Sequence, residues 1–446
     1  LAGGRWHVRG LAKDLSAELP ETELRIAEGA GTVDLSGAGE RIDGQVTLAR
    51  AKVADTAAEM RFRPVLASGA VQAKGGAWTG GFALSDLARR RLAEGTLVQG
   101  RDGRGGVRFD TGMLTFAPGE LQPAGLSPMA AVLASPAEGR ARFVGQMNWG
   151  EGAPTSRGTL LVERLDFVSP MGPVTGLSGQ AQFASLLPLE AAPGQFLKAE
   201  KIESLVPLTD VQVSFGLERD AVVIEGAQLA MGEGKLVFDP FILPFKPGEP
   251  WTGAINIEAV QVKDLVEASP FGDRVDLEAR LTGRAPFEVT PQGVRVSGGV
   301  LRAIEPGRLS ILREAFTTVG AEGGGVSVPV PVPEEAAPEA TNAITEFAYQ
   351  AMEHLAFDTL DAQVDSQDNG RLGVLMHLKG EHMPPKKQEI RLTIMELIRQ
   401  SFMNRSLPLP SGTKVDLTLD TSINLDQILK DFAEYQALRG SQAVQP

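Results

Sequence analysis

Val211, Val213, Phe215 and Leu217 are apolar, and Gln212, Ser214 and Gly216 between them are not. A period of two places the first set on one face of a β-strand and the second on the other, a pattern that an amphipathic helix does not satisfy. Comparable runs recur along the chain: IDGQVTLARAKV, GVRFDTGMLTF, GRARFVGQMNW, AVVIEGAQLAM, TGAINIEAVQV and RVDLEARLTG are each closed by Gly, Pro or a charged turn. Short alternating runs between turn signals predict a meander of antiparallel strands. Ile255 and Ile257, Val275 and Leu277, and Val415, Leu417 and Leu419 continue the alternation. Each such face suits either the core of a β-sandwich or the lining of a groove that holds an apolar ligand, and alternation alone does not separate the two.

Turn chemistry supports the β reading. Gly (51) and Pro (29) are plentiful while aromatics make up only 6%. In LDAQVDSQDNGRLGVLMHLKG, Asn369-Gly370 is the preferred pair for a two-residue hairpin turn. On the return strand Leu372, Val374, Met376 and Leu378 share one face. Helices are few. SDLARRRLAEG suggests one, and Asn342 is placed to cap another whose stripe is Ile344, Phe347, Ala348, Ala351, Met352 and Leu355. Glu396–Met403 and the run after Asn424 suggest two more. The expected fold is mainly β: an elongated, twisted antiparallel sheet curled into an open apolar groove, with helices mostly toward the C-terminus. Four segments are expected: a continuous β-groove over 1–321, a Gly/Pro-rich linker or inserted loop over 322–341, a helix–hairpin–strand–helix cap over 342–440, and a disordered tail over 441–446.

Several function classes are excluded by composition. A formal charge of −13 argues against a nucleic-acid partner, whose phosphates need a basic face. The absence of cysteine removes disulfides, thiolate zinc sites and thiol nucleophiles together. No apolar run approaches the ~18–20 residues of a spanning helix. The sequence starts at Leu1 with no signal peptide, so the expectation is a fragment whose anchor or export signal lies upstream.

Catalytic constellations are missing from the sequence. His377 and His382 flank the loop GEHMPP, but two histidines without a placed carboxylate make a poor metal site, and His7 and His354 stand apart. DSQDNG has Met376 where a calcium loop needs Glu. GRDGRGGVRF and MGEGKLVF run into strands, whereas phosphate-cradling loops run into helices. GLSGQ is not a nucleophile elbow. No metal, cofactor or enzymatic activity is therefore expected, and a binding, conduit or structural role is.

The phrases RLTGRAPFEV, GVRVSGGVLRA and FAYQAMEHLAFDTLDAQV, followed by NGRLGVLMHLKGE, carry a family likeness. Over roughly residues 155–440 the chain resembles the C-terminal region of bacterial AsmA-like proteins, most of all the YdbH type of intermembrane phospholipid transport protein. The motifs are signatures of strands and turns. The resemblance implies a periplasmic location, an N-terminal inner-membrane anchor absent from this sequence, and phospholipid as the ligand. It further implies a small outer-membrane lipoprotein of the YnbE type that adds β-strands near the C-terminal end. On this reading a row of about 25 strands, spaced at about 4.8 Å, makes a sheet of about 120 Å whose apolar face holds acyl chains. The alternative is an envelope-spanning scaffold with a dry β core and no lipid transfer. FDPFILPFKPGEPW, broken by four prolines, is expected as a packed connector or a groove lip.

Overall fold

The computed structural model describes residues 4–312, 324–327, 338–388 and 408–423, apart from positions 40, 59, 151, 170, 247, 270–271 and 368–370. The protein is mainly antiparallel β with little helix, as the alternation predicts. Its contacts cluster in two compact units. Unit 1 comprises Leu1–Ile202 and Gln212–Val223, and unit 2 comprises Glu203–Val211 and Ile224–Pro446.

Unit 1 contains β1 (Arg5–Leu19), β2 (Leu24–Ala38), β3 (Arg41–Asp55), β4 (Val65–Lys74), β5 (Ala77–Ser85) and β6 (Arg91–Gln99). It continues with β7 (Gly105–Asp110), β8 (Leu114–Phe116), β9 (Ala134–Trp149), β10 (Thr155–Ser169), β11 (Gly172–Leu186) and β12 (Leu189–Glu203). Each strand pairs antiparallel with the next, except that β7 and β8 both lie against β9. No described pairing joins β1 to β12, so this ladder is open. The strands β13 (Pro207–Leu217) and β14 (Ala221–Met231) are divided between the units.

Unit 2 holds β15 (Gly234–Phe238), β16 (Phe241–Pro244), β17 (Trp251–Gln261), β18 (Val275–Glu278), β19 (Arg280–Thr290) and β20 (Gly293–Val296). Then come β21 (Gly299–Ala303), β22 (Gly307–Ile311), β23 (Gly324–Ser327), β24 (Leu355–Ser366), β25 (Leu372–His382) and β26 (Lys414–Ile423). The ladder runs β14–β15–β17–β19–β21–β24–β25–β26, with β18–β22 joining it through β24. Among the described residues the α-helices are α1 (Pro123–Leu126), α2 (Lys263–Glu267) and α3 (Pro338–Glu353).

Three local outcomes differ from the sequence reading. SDLARRRL is not a helix: Arg89 takes φ +66°, Asp86 accepts from the Arg90 N–H at 2.8 Å and from its Nε at 2.6 Å, and the chain turns directly into β6. An Asp side chain that satisfies backbone donors locally competes with helix formation. The helix expected to start at Asn342 starts at Pro338, a residue suited to a first helical turn because its missing N–H would be unpaired there anyway. Gly324–Ser327, inside the stretch expected to loop out, lies as β23 along Asp420–Ile423 of β26, where an edge offers unpaired backbone groups. The helices expected over Glu396–Met403 and after Asn424 lie outside the described residues.

Each unit has its own core. In unit 1 Leu92, Phe116, Leu121, Ala137, Val162 and Leu165 are buried together, because the connection from β8 to β9 folds Leu121, Leu126 and Leu133 over the sheet. In unit 2 the core gathers Val260, Leu309, Ile311, Leu360, Leu378 and Leu419 under Met352 of α3. Leu360, Leu378, Leu419 and Met352 are each 0% exposed, so this region is sealed.

Candidate functional site

The apolar face of unit 1 that carries its core continues along the strands beyond it with a regular construction. Cross-strand partners on it run Leu48, Gly69, Phe82, Gly95, Phe109, Gly145 from β3 to β9. Large and absent side chains alternate from strand to strand. The Phe82 ring occupies the space that a Cβ on Gly95 would need, and the Phe109 ring does the same at Gly145. A Cβ on Gly158 would come within 2.7 Å of Phe143 Cζ. The rings therefore lie down over glycines of the neighbouring strand and do not stand up from the sheet. Phe109 and Phe143 are 5.7 Å apart by centroid and Phe143 and Phe183 are 6.1 Å apart, so the paving is continuous across β7, β9 and β11. A second row, Val33, Val46, Val71, Gly80, Leu97, Val107, lies beside the first. Phe82, Phe109, Phe143 and Phe183 are half-buried, so this stretch is not sealed as the same face is further along β9 and β10, where Ala141 and Val162 join the core.

The opposite face is polar and ion-paired. Asp34 meets His7 Nε2 at 2.6 Å and Arg9 at 2.7 Å, and these hydrogen bonds, His7 first, hold its carboxyl below the usual range. Asp110 pairs with Arg142, which lowers the acid and raises the base. Being exposed, such pairs add little stability, but they keep this face wetted and the apolar face distinct from it.

Unit 2 repeats the motif. Phe287 lies over Gly253, its directly opposed partner, with a would-be Cβ 2.7 Å from the ring. Trp251 crosses Phe287 edge-on at 5.5 Å and stacks on Phe241 at 5.0 Å. The proline-broken connector thus packs through its aromatics, while Ile242 and Phe245 stay 57% and 41% exposed. Ile255 sits opposite Phe238 in the same patch.

The residues singled out from sequence fall into two environments. Ile257, Val275 and Val415 are partly buried and, with Leu277, Leu417 and Leu419, belong to the core beneath α3. Leu417 and Leu419, at 8% and 0% exposure, are covered by protein. On β13, Phe215 is buried while Val211, Val213 and Leu217 are half-buried. The paving phenylalanines and their glycines were not singled out. Their signal was present as GGFALS, GGVRFD and FVGQMNW, where glycines and an aromatic fall at even spacings along one strand.

The histidines do not converge on a ligand. His377 bonds Asp416 at 2.6 Å, and His382 lies 6.3 Å from His354 by ring centroid. Among the described residues no group of three or more His, Cys, Asp or Glu could hold a metal ion. No helix among them is long and apolar enough to cross a membrane.

A family model described as "YdbH-like: Intermembrane phospholipid transport protein YdbH" matches residues 3–394. No curated protein and no solved structure matches the chain.

Proposed function

Because the chain belongs to the YdbH-like family of intermembrane phospholipid transport proteins, we propose that its open apolar faces shield phospholipid acyl chains on their way between the inner and outer membranes. The observation that carries this reading is the unsealed, ring-over-glycine face of unit 1. Burial of a methylene stabilises by about 0.8 kcal/mol, so a two-chain lipid gains ample affinity from area alone. A face of rings and aliphatic side chains without charged groups offers that area with no preferred position. The charged opposite face keeps the sheet solvated.

The membership supports an envelope location. An upstream inner-membrane anchor is part of the proposal, as is strand addition by an outer-membrane lipoprotein of the YnbE type at β26. Along Lys414–Leu419 the outer edge of β26 has no strand partner among the described residues, and an open edge is the surface that β-augmentation uses. Loss of lipoprotein binding on removal of residues 413–446 is expected; retained binding would rule this site out.

The test of the conduit is mass spectrometry of lipids extracted from the purified chain. Two-chain phospholipid is expected, and its depletion by Phe82→Asp and Phe109→Asp is expected to leave the strand signal in circular dichroism intact. The sealed core under α3 is what a dry scaffold would contain. If the parent protein carried no lipid, and both charged variants unfolded, that scaffold reading would take over.

A further inference from the structure

Each of the four tryptophans is the first, second or last residue of its strand: Trp6 in β1, Trp78 in β5, Trp149 in β9 and Trp251 in β17. In unit 1 the three lie at one end of the ladder. Trp78, Gln99, Gly105 and Trp149 are cross-strand neighbours in a single row. The row continues through Ala73 and Gly44 to Leu35 of β2, and just outside it Trp6 lies over Gly37. Inward from Trp149, the same face of β9 carries Met147, Gly145 under the Phe109 ring, Phe143, and then Ala141, which packs on the buried core. There Leu121, Leu126 and Leu133 close the face. In unit 2, β17 shows the same order: Trp251, Gly253 under the Phe287 ring, Ile255, and then Ile257, which packs on the core beneath α3. Each apolar face thus has a sealed end and an end edged with tryptophan.

The two kinds of ring divide by chemistry. Phenylalanine is hydrocarbon throughout, whereas an indole carries an N–H donor and favours the boundary where apolar surface meets a polar phase. Trp149 Nε1 donates to Gln99 Oε1 at 2.6 Å, and Gln99 Nε2 donates to the Gly100 carbonyl at 3.1 Å, so the tryptophan row also holds a polar amide. Trp6 and Trp78 are half-buried and make no hydrogen bond among the described residues, which leaves their N–H groups open to an outside acceptor. Just beyond the row, the turns expose Lys74, Arg101, Asp102 and Arg104. Before Trp251, Lys246 and Glu249 pair at 2.9 Å. Polarity therefore rises in one direction along each face, from hydrocarbon through indole to charge.

We infer that the tryptophans mark the margin along which the head groups of bound two-chain phospholipids lie. A phospholipid has the same order of parts: hydrocarbon, ester carbonyls that accept hydrogen bonds, then a charged head group. With its esters at the indoles, its acyl chains cover the phenylalanine–glycine paving and its phosphate reaches the charged turns. The reverse placement drives the phosphate against the sealed end, where nothing offsets the loss of its hydration. The inference deepens the acyl-chain reading by giving the lipid an orientation, and it rests on that reading for the lipid itself. A head group kept at one margin never has to cross hydrocarbon while its chains move over the strands.

Tryptophan fluorescence tests this directly, because all four emitters sit at the margin. The purified chain is loaded from phosphatidylcholine vesicles whose lipid bears a nitroxide on the head group, on an acyl chain near its carbonyl, or near its methyl end. Spin resonance counts the lipid retained. At equal retention, the head-group and carbonyl labels are expected to quench more emission than the methyl-end label. Combining Trp6→Phe, Trp78→Phe, Trp149→Phe and Trp251→Phe with Phe109→Trp moves the emitter onto the paving. There the acyl-chain labels are expected to quench more than the head-group label. If that variant does not fold, the order of quenching in the unaltered chain decides alone. Equal quenching by all three labels in the unaltered chain, or strongest quenching by the methyl-end label, overturns the orientation and leaves acyl-chain shielding intact. Retention of no labelled lipid overturns the shielding and this inference with it.

Discussion

At the scale of single residues, the glycines of the paved face are defined by what lies on them. Gly95→Ala places a methyl inside the Phe82 ring, so the ring must lift or the strands must part. Overpacking of this kind costs about 1–3 kcal/mol. Denaturant melts are expected to show that loss for Gly95→Ala, and a smaller loss when Phe82→Leu is present too; additive costs would contradict the packing described. Asp55 is the other residue whose surroundings decide its behaviour. Its side chain is fully buried, accepts from Arg61 Nε at 3.0 Å and Nη2 at 2.7 Å, and takes the N–H of Ala57 and of Arg61. Arg61 in turn donates to the Thr22 carbonyl at 2.9 Å, so this pair ties the end of β3 to the β1–β2 turn. The Arg61 hydrogen bonds, ahead of the opposing effect of burial, hold the Asp55 carboxyl far below the usual range. A depressed folded-state pKa stabilises the fold above the unfolded value of about 3.9 and loses that contribution as pH falls below it. Asp55→Asn is therefore expected to be less stable at neutral pH, by about 2–4 kcal/mol, and to show a flatter loss of stability below about pH 4 in acid titration of the melting temperature.

At the scale of strands and helices, the contrast between sealed and open faces makes its own prediction. Leu419→Asp puts a carboxylate at a position with 0% exposure under α3, and is expected to unfold unit 2 or cost several kcal/mol. Val213→Asp, on a half-buried position of β13, is expected to leave the protein folded with less copurified lipid. Circular dichroism and lipid extraction of both variants check this; equal destabilisation would mean that both faces are dry. The two residues look alike in sequence, each the second or third apolar member of an alternating run. What distinguishes them is α3, contributed from a distant part of the chain, and period two carries no information about what covers a strand. The strands themselves were legible because their alternation is local, but the hairpin register of β24 with β25 was not: Ser366 pairs with Leu372, one residue away from the register that a two-residue Asn369-Gly370 turn sets. The turn at Asp86 was not, because Asp86–Leu92 has helix-forming residues and only the side chain's bonds to Arg90 decide against them.

For the molecule as a whole, the net charge of −13 has a consequence for work at membranes. Anionic bilayers repel such a protein over roughly the Debye length, which is about 10 Å at 0.1 M salt and shorter above it. Lipid exchange between anionic vesicles in the presence of the purified chain is expected to speed up as salt is raised from low values, and to be insensitive to salt with neutral vesicles. A decrease with salt would point to a basic docking patch instead. The paved face of unit 1 has a further mechanical implication. Rings and glycines alternate along it at the strand spacing, about 4.8 Å, so the pattern repeats every second strand, while an extended hydrocarbon repeats at its own shorter interval. Two surfaces whose periods do not match have no register in which all contacts deepen together. Their interaction energy is nearly flat under translation, and sliding friction is low even where adhesion is strong. An acyl chain laid across these strands would be held firmly against leaving the sheet and only weakly against gliding along it.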